Sequence, residues 1–370
     1  MGALCAAIAM LLSSCSTGMV VQGEARRAED AVLAAPYTVV FVIHGDGDYA
    51  YHDADGNEQR ADEKALAGAI RVAEENPRAE VFVYHQKPGR HLFFVVPLQD
   101  GDFYYYRNGR LVVHEPYRRA TGAVRLDAEL ELYRRFRAAE EAPLASVFVY
   151  FGHEIPETGG LDYDASHPER PFTVHGLAGE LQGFTGPSGR FDLLVLSTCF
   201  GGTPHTVGEL SSVARYIVAS PENLHLSYFD LRSLERLDLT LQDSAIPALA
   251  RGFARSAFDR LAREVQTAVS VAVYDVDRAR AFTQAARGVY DRELARLNGD
   301  PASFMTAMER CDCADVSAYL LPGINEGVDV LYRPARFGRS KGKQGHSGWE
   351  CWRARGPQRP VSQIPGPGAE

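Results

Sequence analysis

Two side chains suited to nucleophilic chemistry follow two apolar runs of this sequence. Cys199 stands in FDLLVLSTCFGG (191–202), after an apolar run and before two glycines. His153 stands in VYFGHE (149–154), also just past an apolar run. A thiolate attacks a carbonyl carbon once an imidazole takes or stabilises its proton. The pair therefore predicts covalent catalysis by cysteine if the fold brings the two loops together.

The elements around these loops predict a parallel sheet. The apolar runs predict strands at 37–43, 80–85, 146–151, 191–197 and 216–220. The intervening text predicts helices at 62–76, 127–140, 175–183 and 205–212. Nearly continuous apolar strands that alternate with helices are typical of a parallel sheet covered on both faces. Such sheets gather reactive groups beyond the carboxyl ends of their strands, where both candidate side chains fall.

Glycines and turn signals divide the rest of the chain. Gly201 and Gly202 leave the backbone after the cysteine free to turn N–H groups towards an oxyanion. Asp-Gly and Asn-Gly signals between aromatic runs predict hairpins within 91–117.

We expect the following organisation: a signal peptide at 1–15, a tether at 16–35, a catalytic domain at 36–235, a mainly helical C-terminal extension packed on it at 236–350 with one strand at 270–277, and a disordered tail at 351–370.

Four blocks of the chain, between residues 37 and 230, resemble the clostripain family of caspase-like cysteine peptidases, and the resemblance as a whole spans about residues 37–350. YTVVFVIHGDGDY (37–49) resembles the family's first strand and its Gly-Asp-rich loop, and YFGHE (150–154) resembles its Gly-His-Gly block. LLVLSTCFGG (193–202) is similar to its Asp-Ala-Cys-x-x-Gly block, and YIVASPENLHLSYFD (216–230) to the next strand and its Ala-Ser-Glu-Glu loop. The resemblance implies an α/β fold, a caspase-like three-layer sandwich whose mostly parallel sheet has helices on both faces, plus a largely helical C-terminal section.

The resemblance also implies roles for individual residues. Cys199 would be the nucleophile and His153 its partner, acting on a peptide or protein substrate through a thioester acyl-enzyme. The backbone N–H groups of Cys199 and Glu154 would form the oxyanion hole. No cofactor is expected, although the family permits calcium. Autoprocessing is also implied, with the Arg-bearing segment SHPERPF (166–172) as a candidate site.

Two residues depart from the family pattern. Glu154 replaces the glycine that normally follows the histidine, and it adds bulk and negative charge. Ser197 replaces the aspartate that in the family helps to receive a basic substrate side chain, so selectivity for Arg or Lys is in doubt because a guanidinium needs a charged, bidentate acceptor. The candidate substrate-binding residues are Asp46, Asp48, Ser197 and Glu222, and other acids that could replace the missing aspartate are Asp162, Asp164 and Asp230.

The loop HGDGDYAYHDADGNE (44–58) raises a metal hypothesis. Its nitrogen and oxygen ligands lie close together in sequence: His44, Asp46, Asp48, His52 and Asp53. All of them lie on one loop, no complementary ligand motif occurs elsewhere, and the spacing does not match an EF-hand loop. We therefore expect no metal, and we expect Asp46 and Asp48 to shape a substrate cleft.

The N-terminus resembles a bacterial lipoprotein signal. ALCAAIAMLLSSC (3–15) is an apolar stretch too short to span a bilayer, and it ends in Leu12, two serines and Cys15. In such signals the cysteine becomes lipidated and N-terminal after cleavage, and Ser16 in the next position favours delivery to the outer membrane. We expect a lipid-anchored protein of the cell envelope; a plain secretory signal or a buried N-terminal helix is the alternative.

The net charge and the cysteines indicate which binding partners and which disulfides to expect. The formal net charge is -9, and 24% of the residues are charged, so a nucleic-acid partner is not expected because phosphate binding needs a basic surface. An exported protein can hold disulfides, and Cys311, Cys313 and Cys351 could supply one, although the sequence does not fix the pairing.

Three functions are compatible with these observations. The first is an exported, lipid-anchored cysteine endopeptidase. The second is a catalytically inactive caspase-like lipoprotein that acts as a surface binding or scaffold protein, which Glu154 and Ser197 favour. The third is a metal-dependent hydrolase that uses the loop at His44.

Overall fold

A nine-stranded mixed sheet forms the centre of the structure, which is a computed structural model. The structure describes residues 35–45, 49–53, 55–88, 91–92, 96–119, 126–137, 143–157, 172–185, 189–224, 229–238, 245–281, 283–284, 326–338 and 341. All of them belong to one unit, which begins at Ala35. Residues 1–34, which include the expected signal peptide and nearly all of the tether, lie outside the described residues.

The described strands in chain order are β1 (Tyr37–His44), β2 (Ala50–His52), β3 (Glu58–Arg60), β4 (Ala79–Gln86), β5 (His91–Leu92), β6 (Val96–Pro97), β7 (Gly101–Arg107), β8 (Arg110–Tyr117), β9 (Ala145–Phe151), β10 (Phe191–Ser197), β11 (Ala214–Ala219), β12 (Val269–Asp275) and β13 (Val328–Arg333). The described α-helices are α1 (Ala61–Glu74), α2 (Asp127–Phe136), α3 (Val174–Leu181), α4 (Pro204–Leu210) and α5 (Ala245–Glu264), and a 3-10 helix spans Leu231–Leu234.

The sheet has a parallel centre and antiparallel edges. Its strand order is β13-β12-β11-β10-β9-β1-β4-β7-β8. The five strands from β11 to β4 pair in parallel, whereas β12 and β13 at one edge and β7 and β8 at the other pair antiparallel. The carboxyl ends of β1, β4, β9, β10 and β11 therefore meet at one edge of the parallel centre.

Helices cover the sheet on both faces. One apolar cluster joins one face of the sheet to α1, α5 and the 3-10 helix, and we call this the α1 face. A second cluster joins the opposite face to α2, α3 and α4. Every residue of β1, β4 and β9 is buried, because central parallel strands have helices on both sides. The predicted α/β sandwich with a mostly parallel sheet and helices on both faces is confirmed.

Most predicted elements are present with bounds that shift by a few residues. The expected hairpin is β7–β8, whose Asn108–Gly109 turn has positive φ at both residues, as a two-residue hairpin loop requires. Residues after 235 also belong to the central sheet, because β12 pairs with β11 and β13 pairs with β12. The described part of the C-terminal section thus contributes two strands as well as α5, and β13 was not predicted.

No helix among the described residues is long and apolar enough to cross a membrane.

Candidate active site

The register of two neighbouring strands places Cys199 and His153 side by side. In the parallel pair β9–β10, Tyr150 is opposite Leu196 and Phe151 is opposite Ser197. The N–H of Gly152 then donates a hydrogen bond to the carbonyl of Ser197 (3.4 Å), which carries the pairing past the strand ends. Each candidate residue comes two positions after the last paired residue of its strand. Paired strands lie about 4.8 Å apart, so the two loops are immediate neighbours.

Both side chains lie on the α1 face. Side chains of a strand alternate between the two faces, and Phe151 belongs to the cluster of the α1 face. Cys199 is partly buried against the same cluster. The ring of His153 stacks on Tyr49, which also belongs to that cluster. The thiol and the imidazole therefore lie beyond the carboxyl ends of two neighbouring strands and on the same face of the sheet.

The thiol of Cys199 is held by the loop after β11. Its Sγ donates to Oδ1 of Asn223 (2.8 Å) and lies 3.3 Å from the carbonyl oxygen of Leu224, and the N–H of Leu224 donates to Sγ (3.4 Å). Burial raises the pKa of Cys199 above 9.0, the Leu224 N–H opposes this shift, and the charge of Glu154 adds to it. Cys199 is therefore a neutral thiol near neutral pH.

The backbone after the nucleophile is strained and closely packed. Phe200 has φ 51°, a left-handed conformation that is rare for a bulky residue, and such strain concentrates at functional sites. Its N–H donates to the carbonyl of Glu222 (3.1 Å). The N–H of Gly202 donates to the carbonyl of Ser220 (2.8 Å), so our expectation that it is free to face an oxyanion is wrong. Gly202 instead allows the backbone at Ser220 and the hydroxyl of Tyr274 to approach.

His153 is exposed on its outer side, and Tyr49 covers its inner side. Its backbone N–H donates to the hydroxyl of Tyr49 (2.8 Å), and the two rings stack with centroids 4.3 Å apart. Partial burial of the ring lowers the pKa of His153 below 6.5, so the imidazole is largely neutral near neutral pH. Within the described residues, Sγ of Cys199 and the His153 ring share no hydrogen bond.

A buried carboxyl that the sequence analysis missed connects the two loops. Glu157 follows His153 in the same loop. Its Oε1 accepts hydrogen bonds from two hydroxyls, those of Thr203 and Thr206. Thr203 is the N-cap of α4. Its Oε2 is buried without a partner. Burial raises the pKa of Glu157 to about 8, the two threonines oppose the shift, and the charge of Glu154 adds to it. No local motif marks Glu157, Asn223 or Tyr49, because each acts through a contact distant in sequence.

The predicted substrate-binding residues differ in how the structure describes them. Ser197 is buried, and its hydroxyl accepts a hydrogen bond from the N–H of Phe229 (3.2 Å). Glu222 lies in the loop beside Cys199, where its carbonyl oxygen receives the N–H of Phe200. Asp230 is buried and pairs with Arg232. The remaining predicted positions lie outside the described residues: Asp46, Asp48, Asp162, Asp164 and the candidate lipidation site Cys15.

The described ligands of the metal hypothesis point to structural roles. His44 is buried, and its Nδ1 lies 2.8 Å from Oε1 of Gln86. Asp53 accepts hydrogen bonds from the backbone of Asp55 (3.0 Å) and Asn57 (2.9 Å) in the β2–β3 turn. No group of three or more His, Cys, Asp or Glu side chains that could hold a metal ion occurs in the described part of the chain. Asp46 and Asp48 do not belong to that part.

Solved structures similar to this chain are C11 (clostripain family) cysteine proteases. A secreted C11 cysteine protease from Bacteroides thetaiotaomicron, in complex with an irreversible peptide inhibitor, is 14% identical, with a TM-score of 0.49 and 70% of each chain covered. An inactive zymogen C11 protease from Parabacteroides distasonis is 13% identical, with a TM-score of 0.46, and covers 77% of this chain and 69% of its own. Iotapain, a secreted C11 cysteine protease from Bacteroides thetaiotaomicron, is 10% identical, with a TM-score of 0.46 and 70% of each chain covered. No protein-family model matches the chain, and neither does any curated protein.

Proposed function

We propose that this protein is a cysteine endopeptidase that cleaves peptide bonds through Cys199 and His153. The observation that carries the proposal is the register of β9 and β10, which brings a thiol and an imidazole to one edge and one face of the sheet. The strained backbone at Phe200 and the four sequence blocks that resemble clostripain support it. Acyl transfer requires at least a nucleophile and an adjacent general base, and the thiol and the imidazole can supply these two groups.

The first half of the reaction forms a thioester. His153 takes the proton of the Cys199 thiol while Sγ attacks the carbonyl carbon of the scissile peptide bond. The resulting oxyanion accepts hydrogen bonds from the backbone N–H groups of Cys199 and Glu154. The tetrahedral intermediate then collapses: the C–N bond breaks, His153 donates its proton to the departing amine, and the acyl group remains on sulfur.

The second half releases the acid and restores the thiol. His153 accepts a proton from a water molecule, whose oxygen attacks the thioester carbonyl. The C–S bond breaks, the carboxylic acid leaves, and Sγ takes back the proton.

The charge states of Cys199 and His153 before substrate binds indicate how the thiol loses its proton. The raised pKa of Cys199 and the lowered pKa of His153 keep both groups neutral near neutral pH. His153 therefore acts as a general base in the attack, rather than as the cation of a preformed ion pair. We expect activity to rise along an acid limb centred below pH 6.5, where His153 loses its proton.

Turnover of a positional peptide library by the purified protein tests this function. Because the two residues act as one unit, Cys199→Ala and His153→Ala should each lose roughly a thousandfold or more in kcat/KM. His175→Ala is a matched control, because this histidine is exposed on α3, a helix that packs on the face of the sheet opposite to that of Cys199 and His153. The proposal fails if either dyad variant keeps most of the wild-type turnover while folding normally.

A second function, that of a non-catalytic surface binding protein, is favoured by the electrostatics of the site. The negative charge of Glu154 and the burial of the thiol both disfavour the thiolate. In that case a peptidyl electrophile at neutral pH would modify Cys199 no faster than Cys311 or Cys351. Preferential modification of Cys199 would support the peptidase.

We further propose that the protein is exported and anchored to the cell envelope by lipid on Cys15. The apolar stretch and the Leu-Ser-Ser-Cys ending at this residue support the anchor. An enzyme anchored in this way would meet peptide substrates at the membrane surface, and no nucleic-acid partner is expected from its net charge of -9.

A further inference from the structure

Tyr49 contacts His153 in two ways at once. Its hydroxyl accepts the backbone N–H of His153 (2.8 Å), and its ring stacks on the imidazole with centroids 4.3 Å apart and planes 25° apart. Tyr49 is 1% exposed, so this contact lies at the inner side of the histidine and leaves the outer side accessible. One side chain thus holds both the main chain and the ring.

Tyr49 is itself held rigidly. Its carbonyl oxygen accepts the N–H of Ala61 (3.0 Å), the first residue of α1, and its ring packs on Phe151 at the end of β9 (centroids 5.8 Å apart). It therefore connects the start of a helix to the strand that carries the histidine. A rotation of the imidazole away from the cysteine loop would break the stack, and a shift of the loop would break the hydrogen bond.

We propose that Tyr49 is a positioning residue, which fixes the imidazole of His153 next to the loop of Cys199 without contacting the thiol or the substrate. This inference rests on the proposed peptidase function. Catalytic geometry tolerates little error, because a displacement of about 1 Å can cost about a hundredfold in rate. A loop that follows a strand has no such precision unless another element supports it.

The same stack contributes to the burial that lowers the pKa of His153. In the described part of the chain, Tyr49 contacts this histidine, and the strand register and the sequence place the titratable residues Glu154 and Cys199 next to it. Loss of the aromatic ring should expose the imidazole and return its pKa towards 6.5, whereas loss of the hydroxyl alone should leave the stack in place.

The test compares Tyr49→Phe, Tyr49→Leu and Tyr106→Leu in the full chain. Tyr106 is a buried tyrosine of the same apolar cluster, and its pairing with Val81 places it at the opposite end of the sheet. Tyr106→Leu therefore matches the loss of packing. The first readout is an NMR titration of the His153 ring without substrate, and the second is kcat and KM for a cleaved peptide.

We expect Tyr49→Leu to raise the pKa of His153 towards 6.5 and to lower kcat by about 10- to 100-fold with little change in KM. Tyr49→Phe should keep the wild-type pKa and lose less kcat, and Tyr106→Leu should change neither quantity. The inference is overturned if Tyr49→Leu titrates like Tyr106→Leu. The titration needs no turnover, so it decides the role of Tyr49 even if the wild-type protein cleaves no peptide, an outcome that would reject the peptidase function instead.

Discussion

Among single residues, burial sets the charge states of the site, and the charge of Glu154 adds to its effect. This residue stands where the clostripain family, which the sequence resembles, has glycine, and its charge adds to the burial that raises the pKa of Cys199 and the pKa of Glu157. The N–H of Leu224 donates to the thiol and opposes the rise in the pKa of Cys199, but the effect of burial is larger. The sequence singled out Cys199 and His153 because each follows an apolar strand, and it singled out Glu154 because this residue departs from the pattern of the family that the sequence resembles. It missed Asn223, Tyr49 and Glu157, because only the folded chain brings them to the site.

Removal of the Glu154 charge should make the thiol more reactive. Glu154→Gln should increase the rate of Cys199 alkylation by iodoacetamide at pH 7.5 by roughly two- to fivefold, since a lower pKa gives more thiolate and the partial exposure of Glu154 limits the effect. Mass spectrometry of the peptide that contains Cys199 gives the rate. Glu154→Asp keeps the charge and should react like wild type, and equal rates for all three proteins would refute the electrostatic role.

Glu157 should make stability fall as pH rises. Its pKa is raised from 4.5 to about 8 in the folded protein, so between these values the native state binds more protons than the unfolded chain. Stability attributed to this carboxyl is present below pH 4.5 and is lost as pH rises towards about 8. Glu157→Gln cannot ionise, so its melting temperature should exceed that of wild type more at high pH than at low pH.

Thermal unfolding at pH 5 and pH 8.5 checks this expectation. Glu131→Gln on the exposed side of α2 is the matched control, because it removes a carboxyl that is not buried. Parallel shifts for Glu157→Gln at the two pH values would contradict the account.

At the scale of elements, the central strands could be predicted and the edges could not. The strands β1, β4, β9, β10 and β11 were predicted because both faces of each are buried, which leaves long apolar runs in the sequence. β13 was missed because it lies at the sheet edge, where its residues are only partly buried and Asp329 interrupts the apolar pattern. The hairpin β7–β8 was predicted from its turn, but its pairing with β4 is a long-range contact without a local signal.

The turn that carries the nucleophile should depend on the close approach at Gly202. A Cβ there would lie 2.9 Å from both the backbone nitrogen of Pro221 and the hydroxyl of Tyr274. Gly202→Ala should therefore destabilise the protein by about 1–3 kcal/mol, as overpacking does.

Urea unfolding of Gly202→Ala and Gly252→Ala tests this packing. Gly252 lies in α5, and a Cβ at this position would have nothing within 4 Å, so the same substitution should be neutral or should stabilise by up to about 1 kcal/mol. Equal unfolding free energies for the two variants would show that the turn does not need glycine at position 202.

At the scale of the whole molecule, one sheet carries the candidate site and the C-terminal strands together. β11 is the neighbour of β10, the strand that leads into the cysteine loop. β12 and β13, which come from residues after 235, extend the same sheet beyond β11. The expected division at 235 and 236 remains a prediction, although the sheet continues across it. The alternation of apolar strands with helices predicted the fold class, whereas the order of strands depends on pairings between distant segments.

The lipid anchor gives a prediction for the full chain. Cys15→Ser should move the protein from the membrane fraction to the soluble fraction and abolish labelling by a fatty-acid probe, because the serine hydroxyl cannot replace the lipidated thiol. Cys199→Ser serves as the control and should stay in the membrane fraction. Retention of Cys15→Ser in the membrane fraction would refute the anchor.

Covalent labelling shows whether Cys199 and His153 act together on a carbonyl. The measurement is the rate at which a peptidyl acyloxymethyl ketone modifies Cys199 at neutral pH, followed by intact mass and peptide mapping, in wild type and in His153→Ala. We predict a single label on Cys199 in wild type, formed at least about a hundredfold faster than in the histidine variant. Equal rates in the two proteins, or a label that falls on another cysteine, would contradict the account.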